Sequence, residues 1–259
     1  MTAPLVAVGV VGAGGKVGRA VCAAIAADPE LHLVAAVDPH HAGTDAPGGL
    51  PISTELAAVV DARATVVVDF TVAPAARATL PWVAERGLHA VVGTTGLDDA
   101  DLDRLRAAFT TSSCLVAPNF AIGAVLLMRF AELAAPWFDT AEIVEVHHDA
   151  KRDAPSGTAI ATARRMAAAS DRWAPDPTED VVAEGARGAL VAGIPVHAVR
   201  MRGAVANQEV VLGTTGQTLT LRHDTTDRTC FTPGVLLAVK RAAGLPAGLT
   251  VGLDAVLDL

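Results

Sequence analysis

Apolar runs and helical stretches alternate along the first half of the chain. The predicted strands lie at 5–11, 33–37, 66–70, 88–92 and 114–117, and the predicted helices between them at 15–27, 73–86 and 98–109. The strands are mostly apolar and do not alternate with polar positions, which is typical of a parallel sheet with both faces covered. The pattern therefore predicts a doubly wound α/β domain.

After Asn119 the rhythm changes to strands with few helices between them. The predicted elements are a long helix at 121–138, strands at 142–147, 196–201, 209–212 and 217–222, and helices at 157–169 and 228–243. The last of these strands alternates threonine and leucine, as a half-exposed antiparallel strand does. The segment 171–188 is rich in Pro, Gly and charge, which indicates a surface loop. We expect a second, smaller α+β domain with an open mixed or antiparallel sheet.

Glycines follow the first predicted strand directly, at Gly12, Gly15 and Gly18. A tight turn at this place lets backbone N–H groups and the dipole of the next helix face a pyrophosphate. The second strand ends in Asp38, whose carboxylate can accept hydrogen bonds from the hydroxyls of an adenine ribose. A glycine-rich turn alone is weak evidence, but its place at the first βα junction predicts a dinucleotide site of the Rossmann type.

The residues around Asp38 point to two different cofactors. The negative charge of Asp38 opposes a 2′-phosphate and so favours NADH. Lys16 lies within the glycine turn, and His40 and His41 lie close by in the sequence, so positive charge is available for NADPH. The two histidines are somewhat better explained as plain loop residues than as phosphate contacts, and the preference between NADH and NADPH stays open.

Further loops follow predicted strands at the same edge of the sheet. Asp69-Phe70-Thr71 ends one strand and Gly93-Thr-Thr-Gly96 ends the next. Ligands in open α/β sheets bind at the carboxyl ends of the strands. The small side chains and hydroxyls of the second loop suit a flat nicotinamide, although they also suit an ordinary β-turn. Ala117-Pro-Asn-Phe120 ends the last strand and is expected to form a hinge into the second domain.

The stretch from Glu145 to Thr158 concentrates the chemistry of the second half. Two histidines, a lysine and an arginine lie within six residues at the end of a strand. Ser156 is a natural N-cap, so the N–H groups of Gly157 and Thr158 are expected to point outward with a helix dipole behind them. With Lys151 nearby, the arrangement predicts a site for a small carboxylate, and histidine can supply a proton near neutral pH. Taken alone, a solvated basic loop beside a capped helix explains it equally well.

Composition argues against several classes of protein. The net charge is −8, which does not suit a nucleic-acid binder. Cys22, Cys114 and Cys230 form no CxxC pair, so small buried side chains are a better interpretation than disulfides or a zinc site. The N terminus lacks the basic start of a signal peptide, and the longest uncharged stretch, 109–128, is too polar for a membrane span. We therefore expect a cytoplasmic protein without metal, membrane or nucleic-acid partners.

These motifs resemble, in order and spacing, the 4-hydroxy-tetrahydrodipicolinate reductase family, also called dihydrodipicolinate reductase. The resemblance covers nearly the whole chain, through 12–18, 93–96, 117–123, 145–158, 196–203 and 223–228. Its most specific part is the string His-His-x-x-Lys-x-Asp-Ala-Pro-Ser-Gly-Thr, which begins at His147. The resemblance implies an NAD(P)H-dependent reduction in lysine and diaminopimelate biosynthesis. It also implies that the ring loses water to give a conjugated imine, receives hydride at C4 and receives a proton on the neighbouring carbon.

The resemblance also implies roles for individual residues. His147 matches the proton donor, and Lys151 matches a second catalytic residue that also contacts a substrate carboxylate. The other implied substrate contacts are His148, Ser156, Gly157 and Thr158. The implied nucleotide contacts are Gly12, Ala13, Gly14, Gly15, Lys16, Val17, Asp38, Phe70, Gly93, Thr94, Thr95, Ala117, Pro118, Asn119 and Phe120.

For the whole chain, the resemblance implies a dinucleotide-binding domain at 1–118 and 228–259, and a substrate-binding and oligomerisation domain at 119–227. The open sheet of the second domain is expected to pair with copies of itself into a homotetramer, and hinge closure to exclude water. Asn207 departs from the family, where histidine is common, and the expected consequence is an altered subunit or strand contact. Pro39 stands where some members place arginine, which argues against strong NADPH selectivity.

Two other functions must be distinguished from this one by experiment. A reductase that acts on a different small cyclic imine or dicarboxylate would share the scaffold, and substrate profiling distinguishes it. A sensor that binds NADH without turnover would not need His147, so the intact catalytic string disfavours a sensor.

Overall fold

The computed structural model describes residues 5–259, and in it the chain divides into two compact units. The first unit contains the residues up to Ala121 together with Phe231–Leu259, and the second contains Ile122–Cys230. The chain therefore leaves the first unit and returns to it near its C-terminal end. Among the described residues, no helix combines the length and the apolar character that crossing a bilayer requires.

A mostly parallel sheet forms the centre of the first unit. Its strands are β1 (Val6–Val11), β2 (Leu31–Val37), β3 (Asp45–Ala46), β4 (Leu50–Ser53), β5 (Val66–Asp69), β6 (His89–Val92), β7 (Ser113–Val116) and β13 (Gly248–Val251). The order across the sheet is β13-β7-β6-β5-β1-β2-β4-β3, and only β3 and β4 pair antiparallel within it. The strand order reverses at β1, which lies between β2 and β5. Open α/β sheets bind their ligands at such a switch point.

Helices surround this sheet and explain why most residues of its strands are apolar. They are α1 (Lys16–Ala27), α2 (Ala58–Asp61), α3 (Ala73–Glu85), α4 (Asp99–Ala108), α7 (Thr232–Ala242) and α8 (Asp254–Leu257). Strand valines such as Val67 and Val92 pack with Leu80 of α3 and Leu105 of α4 in one buried cluster. Every residue of β5 and β7 is buried, including the polar residues Asp69 and Ser113, so neither strand has a face exposed to solvent. The prediction of a doubly wound parallel sheet is confirmed.

The second unit is built on a mixed sheet. Its strands are β8 (Thr140–His147), β9 (Ala189–Val191), β10 (Ile194–Arg200), β11 (Ala206–Thr214) and β12 (Gln217–Thr225), in the order β12-β11-β8-β10-β9. β8 and β10 pair in parallel, and the other neighbours pair antiparallel. The helices α5 (Ile122–Ala134) and α6 (Gly157–Ala169) pack against the sheet through a buried cluster that includes Leu127, Ile143, Met166 and Leu212. The predicted open mixed sheet is therefore present.

Some predicted elements of the second half were wrong in detail. The long helix ends at Ala134 and not near Phe138, because Pro136 has no N–H and disfavours helical backbone before it. A 3₁₀ turn, Ala135–Trp137, follows. β12 is exposed along most of its length, not on one face only, because it lies at the edge of the sheet. The segment predicted as a helix at 228–243 begins as a 3₁₀ turn and is α-helical from Thr232.

Candidate active site

The turn between β1 and α1 is held together by its own N–H groups. Gly12 and Ala13 donate to the carbonyl of Val37 at 2.8 and 3.1 Å, and Gly15 donates to the carbonyl of Gly12 at 3.1 Å. Gly12 has a φ of +81°, a conformation that favours glycine. A Cβ on Gly18 would lie 1.9 Å from the Gly12 carbonyl oxygen, so the first turn of α1 packs directly against this loop. Gly12 and Gly18 are therefore required by the packing of the turn itself.

The donors for an anion come from the helix and not from the turn. α1 begins at Lys16 with Gly15 as its N-cap, and no side chain caps it. The first N–H groups of an α-helix have no partner within the helix, and the positive end of its dipole lies there. The first-turn N–H groups of Lys16 and Val17 are therefore suited to a phosphate. This uncapped helix end, at the switch point of the sheet, fits the pyrophosphate of a dinucleotide.

Asp38, at the end of β2, ties two loops together through a buried carboxylate. Its Oδ2 accepts the N–H of Gly14 at 3.0 Å, and its Oδ1 accepts the N–H of His40 at 2.9 Å and lies 3.1 Å from Nδ1 of His41. Burial opposes the charge, but the hydrogen bonds from His41, His40 and Gly14 outweigh it and hold the pKa of Asp38 below its ordinary value. A ribose would thus share an ionised carboxylate with the glycine turn.

The other predicted cofactor loops meet at the carboxyl ends of β5, β6 and β7. The ring of Phe70 packs on Gly93, where a Cβ would lie 2.1 Å from the ring, and its centroid lies 5.7 Å from that of Phe120. Asn119 accepts the N–H of Ala121 on its side-chain oxygen at 2.9 Å. The structure therefore brings together loops that are separated by more than twenty positions along the chain.

Asp69, at the end of β5, links the loop that follows β5 to the loop that follows β6. Its Oδ1 accepts the N–H of Thr71 at 3.1 Å, the hydroxyl of Thr71 at 2.7 Å and the hydroxyl of Thr94 at 2.6 Å. Burial raises the pKa of Asp69 above its ordinary value. Because the Thr94 hydroxyl is engaged by Asp69, its neighbour Thr95, which is exposed, is the better placed of the two side chains for a ligand.

The N terminus of α6 combines a cap with open space. Ser156 accepts the N–H of Ala159 on its hydroxyl at 3.2 Å, as its predicted role of N-cap requires. The N–H of Ser156 donates to Glu145 at 2.9 Å, so both polar groups of Ser156 are used within the protein. Gly157 is exposed, and a Cβ there would meet nothing within 4 Å. Packing does not require this glycine, and the space in front of the helix end suits a bound carboxylate.

His147 is the last residue of β8, and its side chain is 16% exposed. Its Nδ1 lies 2.6 Å from Oε2 of Glu145. An ionised carboxylate can only accept, so Nδ1 carries the proton and Nε2 is the nitrogen that can exchange a proton with a ligand. Burial lowers the pKa of His147, Glu145 acts in the opposite direction, and the cations Lys151 and Arg200 lower it further. The ring is therefore mainly neutral at pH 7.

Lys151 lies in the loop that follows β8. Its ammonium contacts both carboxylate oxygens of Asp153 at 2.8 Å. Asp153 is exposed, and an ion pair with an exposed partner is weak in water, so a ligand carboxylate can replace it. His148 is half-buried and donates its N–H to the carbonyl of Val205 at 3.4 Å. Two predicted catalytic residues and an open helix end thus lie around the carboxyl end of β8.

Glu145 and Arg200 belong to this site although the sequence predicted no role for them. Glu145 is fully buried. It accepts hydrogen bonds from both terminal nitrogens of Arg200, at 2.7 and 2.8 Å, and from His147. The strand pattern could have indicated a role for Glu145, because this residue lies on the buried side of β8 with Ala141 and Ile143. A buried acid requires hydrogen-bond partners. Arg200 reaches it only through the parallel pairing of β8 with β10.

Comparisons with known proteins agree along the whole chain. The family model described as dihydrodipicolinate reductase, N-terminus, matches residues 6–120, and its C-terminal counterpart matches residues 123–257. A 4-hydroxy-tetrahydrodipicolinate reductase from Nocardia farcinica is 51% identical over 97% of this chain and 98% of its own length. A protein of the same name from Mycobacterium marinum is 48% identical over 97% and 99%.

A solved structure extends the likeness to the fold. The dipicolinate-bound dihydrodipicolinate reductase from Paenisporosarcina sp. TG-14 has a TM-score of 0.87 and 35% identity, covering 97% of this chain and 99% of its own. Both units are included in that coverage. From the family models, the full-length relatives and this shared fold, the chain belongs to the 4-hydroxy-tetrahydrodipicolinate reductase (dihydrodipicolinate reductase) family.

Proposed function

We propose that this protein reduces 4-hydroxy-tetrahydrodipicolinate to tetrahydrodipicolinate with NAD(P)H, as a step of lysine and diaminopimelate biosynthesis. The observation that carries the proposal is the group at the end of β8, where His147 held by Glu145, Lys151 and the open start of α6 converge. A relative that is 35% identical and was solved with dipicolinate bound supports a planar dicarboxylate as the ligand class.

The first unit holds the dinucleotide in this proposal. Residues 12–17 and the start of α1 would hold the pyrophosphate, Asp38 would hold the adenine ribose, and Phe70, 93–95 and 117–120 would hold the nicotinamide. The uncapped helix end and the ionised Asp38 support this arrangement. When bound, NAD(P)H supplies the hydride. The charge of Asp38 favours NADH. The side chains of Lys16 and His40 are exposed and are available to contact the 2′-phosphate of NADPH.

The second unit holds the substrate through its two carboxylates. The ammonium of Lys151 binds one of them in exchange for its contact with Asp153. The first-turn N–H groups of α6, from Gly157 and Thr158, receive the other, with the helix dipole behind them. His148 lies next to His147 and is the remaining substrate contact, whereas Ser156 acts through its cap. These contacts fix the ring without occupying the atoms that react.

His147 delivers the proton that completes the reduction. Hydride addition at C4 of the conjugated imine leaves negative charge that the ring nitrogen and carboxylates share. The neighbouring carbon then takes a proton from Nε2 of His147, the ring nitrogen that Glu145 does not occupy. Lys151 is a second candidate donor. Because His147 is mainly neutral in the free protein, it gains its proton when the dianionic substrate arrives and raises its pKa.

The test of this function is the oxidation of NADH or NADPH by freshly generated 4-hydroxy-tetrahydrodipicolinate, followed by absorbance. We expect turnover by the wild type, a loss of roughly 100-fold or more in His147→Gln, and unchanged NADH binding in that variant. The control is His32→Gln, which removes an exposed histidine from β2. If neither cofactor is oxidised although both bind, the substrate assignment fails and another reductase or a sensor becomes the better interpretation.

Assembly and location are part of the same proposal. We assign substrate binding and self-association to 119–227, the dinucleotide to 1–118 and 228–259, and the protein to the cytoplasm as a homotetramer. Half-exposed valines on the sheet of the second unit, Val144, Val146 and Val199, are here called the open face. Val144 and Val146 alternate with residues that face α5 and α6, and Val199 is in register with Val146. An uncovered apolar surface of this kind supports self-association.

A further inference from the structure

Glu145 is fully buried, and both of its oxygens are saturated with donors. Its Oε2 accepts Nδ1 of His147 at 2.6 Å and one terminal nitrogen of Arg200 at 2.7 Å. Its Oε1 accepts the N–H of Ser156 at 2.9 Å and the other terminal nitrogen of Arg200 at 2.8 Å. A carboxylate has about four acceptor positions, so no further donor is needed. Burial opposes ionisation, but these hydrogen bonds outweigh it and hold the pKa of Glu145 below its ordinary value.

We propose that Glu145 is a positioning residue for the reductase reaction. It holds His147 with a proton on Nδ1 and Nε2 directed away from the carboxylate, and it ties that ring to the start of α6 through Ser156. One side chain thereby sets the distance between the proton donor and the helix end that receives a substrate carboxylate. Arg200 completes the arrangement, since it also donates to the carbonyl of Asp153 at 2.7 Å and so fixes the loop that precedes α6.

Hydrogen bonds from Arg200 and His147 keep Glu145 ionised, and the charges around His147 decide when that ring is protonated. Glu145 on β8 favours the protonated ring, whereas Arg200 on β10 and Lys151 in the following loop disfavour it. When the dianionic ring is bound, Nε2 takes a proton from solvent. Transfer of that proton breaks the Nε2–H bond, forms the C–H bond on the ring carbon and returns His147 to its neutral Nδ1–H form. Glu145, balanced by Arg200, keeps its charge and never takes the proton.

A second glutamate on the same strand offers a matched control. Glu142 lies three residues earlier on β8, with Oε2 2.6 Å from Nε2 of His197, and it pairs with Arg187. It has the same type of partners as Glu145 but does not contact His147 or α6. The variant Glu142→Gln therefore removes a Glu–His–Arg contact without touching the proposed site. Its mass in solution is measured alongside, because His197 lies beside the open face.

The first readout is the tautomer of His147, which does not depend on the substrate. In protein with ¹⁵N-labelled histidine, two-bond ¹H–¹⁵N couplings identify the protonated ring nitrogen, and the signals missing from His147→Gln belong to His147. We expect the Nδ1–H form in the wild type and in Glu142→Gln, and a shift towards Nε2–H in Glu145→Gln. A wild-type His147 in the Nε2–H form would overturn the proposal whatever happens to the variants.

The second readout is kinetic, and for the identity of the substrate it rests on the proposed function. Glu145→Gln should lower kcat by about 100-fold and displace its pH profile, while NADH binding stays at the wild-type level. Glu145→Asp should recover part of the rate. An unchanged kcat and pH profile in folded Glu145→Gln would refute the proposal. If Glu145→Gln does not fold, Arg200→Lys is measured in the same way. If the wild type does not turn over, the proposed function fails, and the tautomer still decides the role of Glu145.

Discussion

A proton donor with a lowered pKa must gain its proton after the substrate has arrived. His147 is mainly neutral in the free protein because its burial and the nearby cations Lys151 and Arg200 outweigh the effect of Glu145. A bound dicarboxylate brings two negative charges to the same place and offsets those cations. In the proposed mechanism, Lys151 therefore both binds the substrate and influences when His147 becomes protonated, so charge at this site has a proposed kinetic as well as a binding role.

The variant Lys151→Met should raise the pKa of His147 in the free protein. Removing a nearby positive charge favours the protonated ring, so the titration of His147 moves to higher pH. NMR titration of the ring protons measures this directly, without any activity. The control is Arg202→Met, because Arg202 is 93% exposed and pairs with Asp149 and not with the histidine. A His147 pKa that stays the same or falls in Lys151→Met would contradict the charge assignment.

The variant Asp38→Ala should weaken the binding of NADH more than that of NADPH. It removes the acceptor proposed for the ribose hydroxyls, but it also frees the N–H of Gly14, which affects both cofactors. His41→Ala is the control, since it removes the contact of His41 with Asp38 but leaves the carboxylate and its hydrogen bond from Gly14 in place. Isothermal titration with each cofactor gives the comparison. An equal loss for NADH and NADPH in Asp38→Ala would show that Asp38 serves only the turn.

The starts of α1 and α6 are both proposed as anion sites, but the glycines near them are explained by different observations. Gly18 has no room for a Cβ, because the atom would lie 1.9 Å from the Gly12 carbonyl oxygen. Gly157 has open space around the same position. The first glycine is therefore needed by the fold, and the second is needed only if a ligand approaches the helix end closely.

The variant Gly157→Ala should fold as well as the wild type and bind a dicarboxylate poorly. Alanine in the first turn of a helix is favourable by up to about 1 kcal/mol relative to glycine, so thermal stability should not fall. The added methyl group projects into the space proposed for the substrate, and we expect roughly tenfold weaker binding of pyridine-2,6-dicarboxylate. Calorimetry measures both quantities. Gly18→Ala, by contrast, should lose stability, and unchanged dicarboxylate binding in Gly157→Ala would exclude this helix end as the carboxylate site.

The sequence predicted the elements that repeat a pattern and not those that depend on distant partners. The strands of the parallel sheet were recognisable because burial on both faces leaves few polar positions in them. The elements without a prediction are between two and four residues long: β3, β4, β9, β13, α2 and α8. Segments of this length show no period. β13 is defined only by its pairing with β7, in which Gly248 lies opposite Ser113.

The candidate site follows the same rule. His147, Lys151 and Ser156 are close in the sequence, so their types and spacing predicted a group. Arg200 comes from another strand, and its contact with Glu145 requires the register of β8 and β10. In the first unit the glycine turn was predicted, but not that its own N–H groups are used internally, because this depends on the exact path of the backbone.

The sheets of the two units differ in how much of their surface is covered by helices. In the first unit, helices cover the strands. β13 lies at one edge of the sheet and pairs in parallel with β7. In the second unit α5 and α6 pack against the sheet on the side of Ile143, and the open face carries valines without a helix over them. We propose a second copy of the same sheet as the partner of this surface, because two apolar surfaces of the same kind match in character.

The variant Val199→Asp should therefore break the proposed tetramer. Val199 is 36% exposed, and a carboxylate there would be buried without a partner when two open faces meet. Light scattering after gel filtration should give about four times the chain mass of 26.3 kDa for the wild type and a smaller species for Val199→Asp. Leu133→Asp is the control, because Leu133 is a 55% exposed leucine on α5 and not on the open face. Binding of pyridine-2,6-dicarboxylate by Val199→Asp would show that the second unit, which contains Val199, is still folded. A wild type that is monomeric, or a Val199→Asp variant with the wild-type mass, would remove the open face as the surface of assembly.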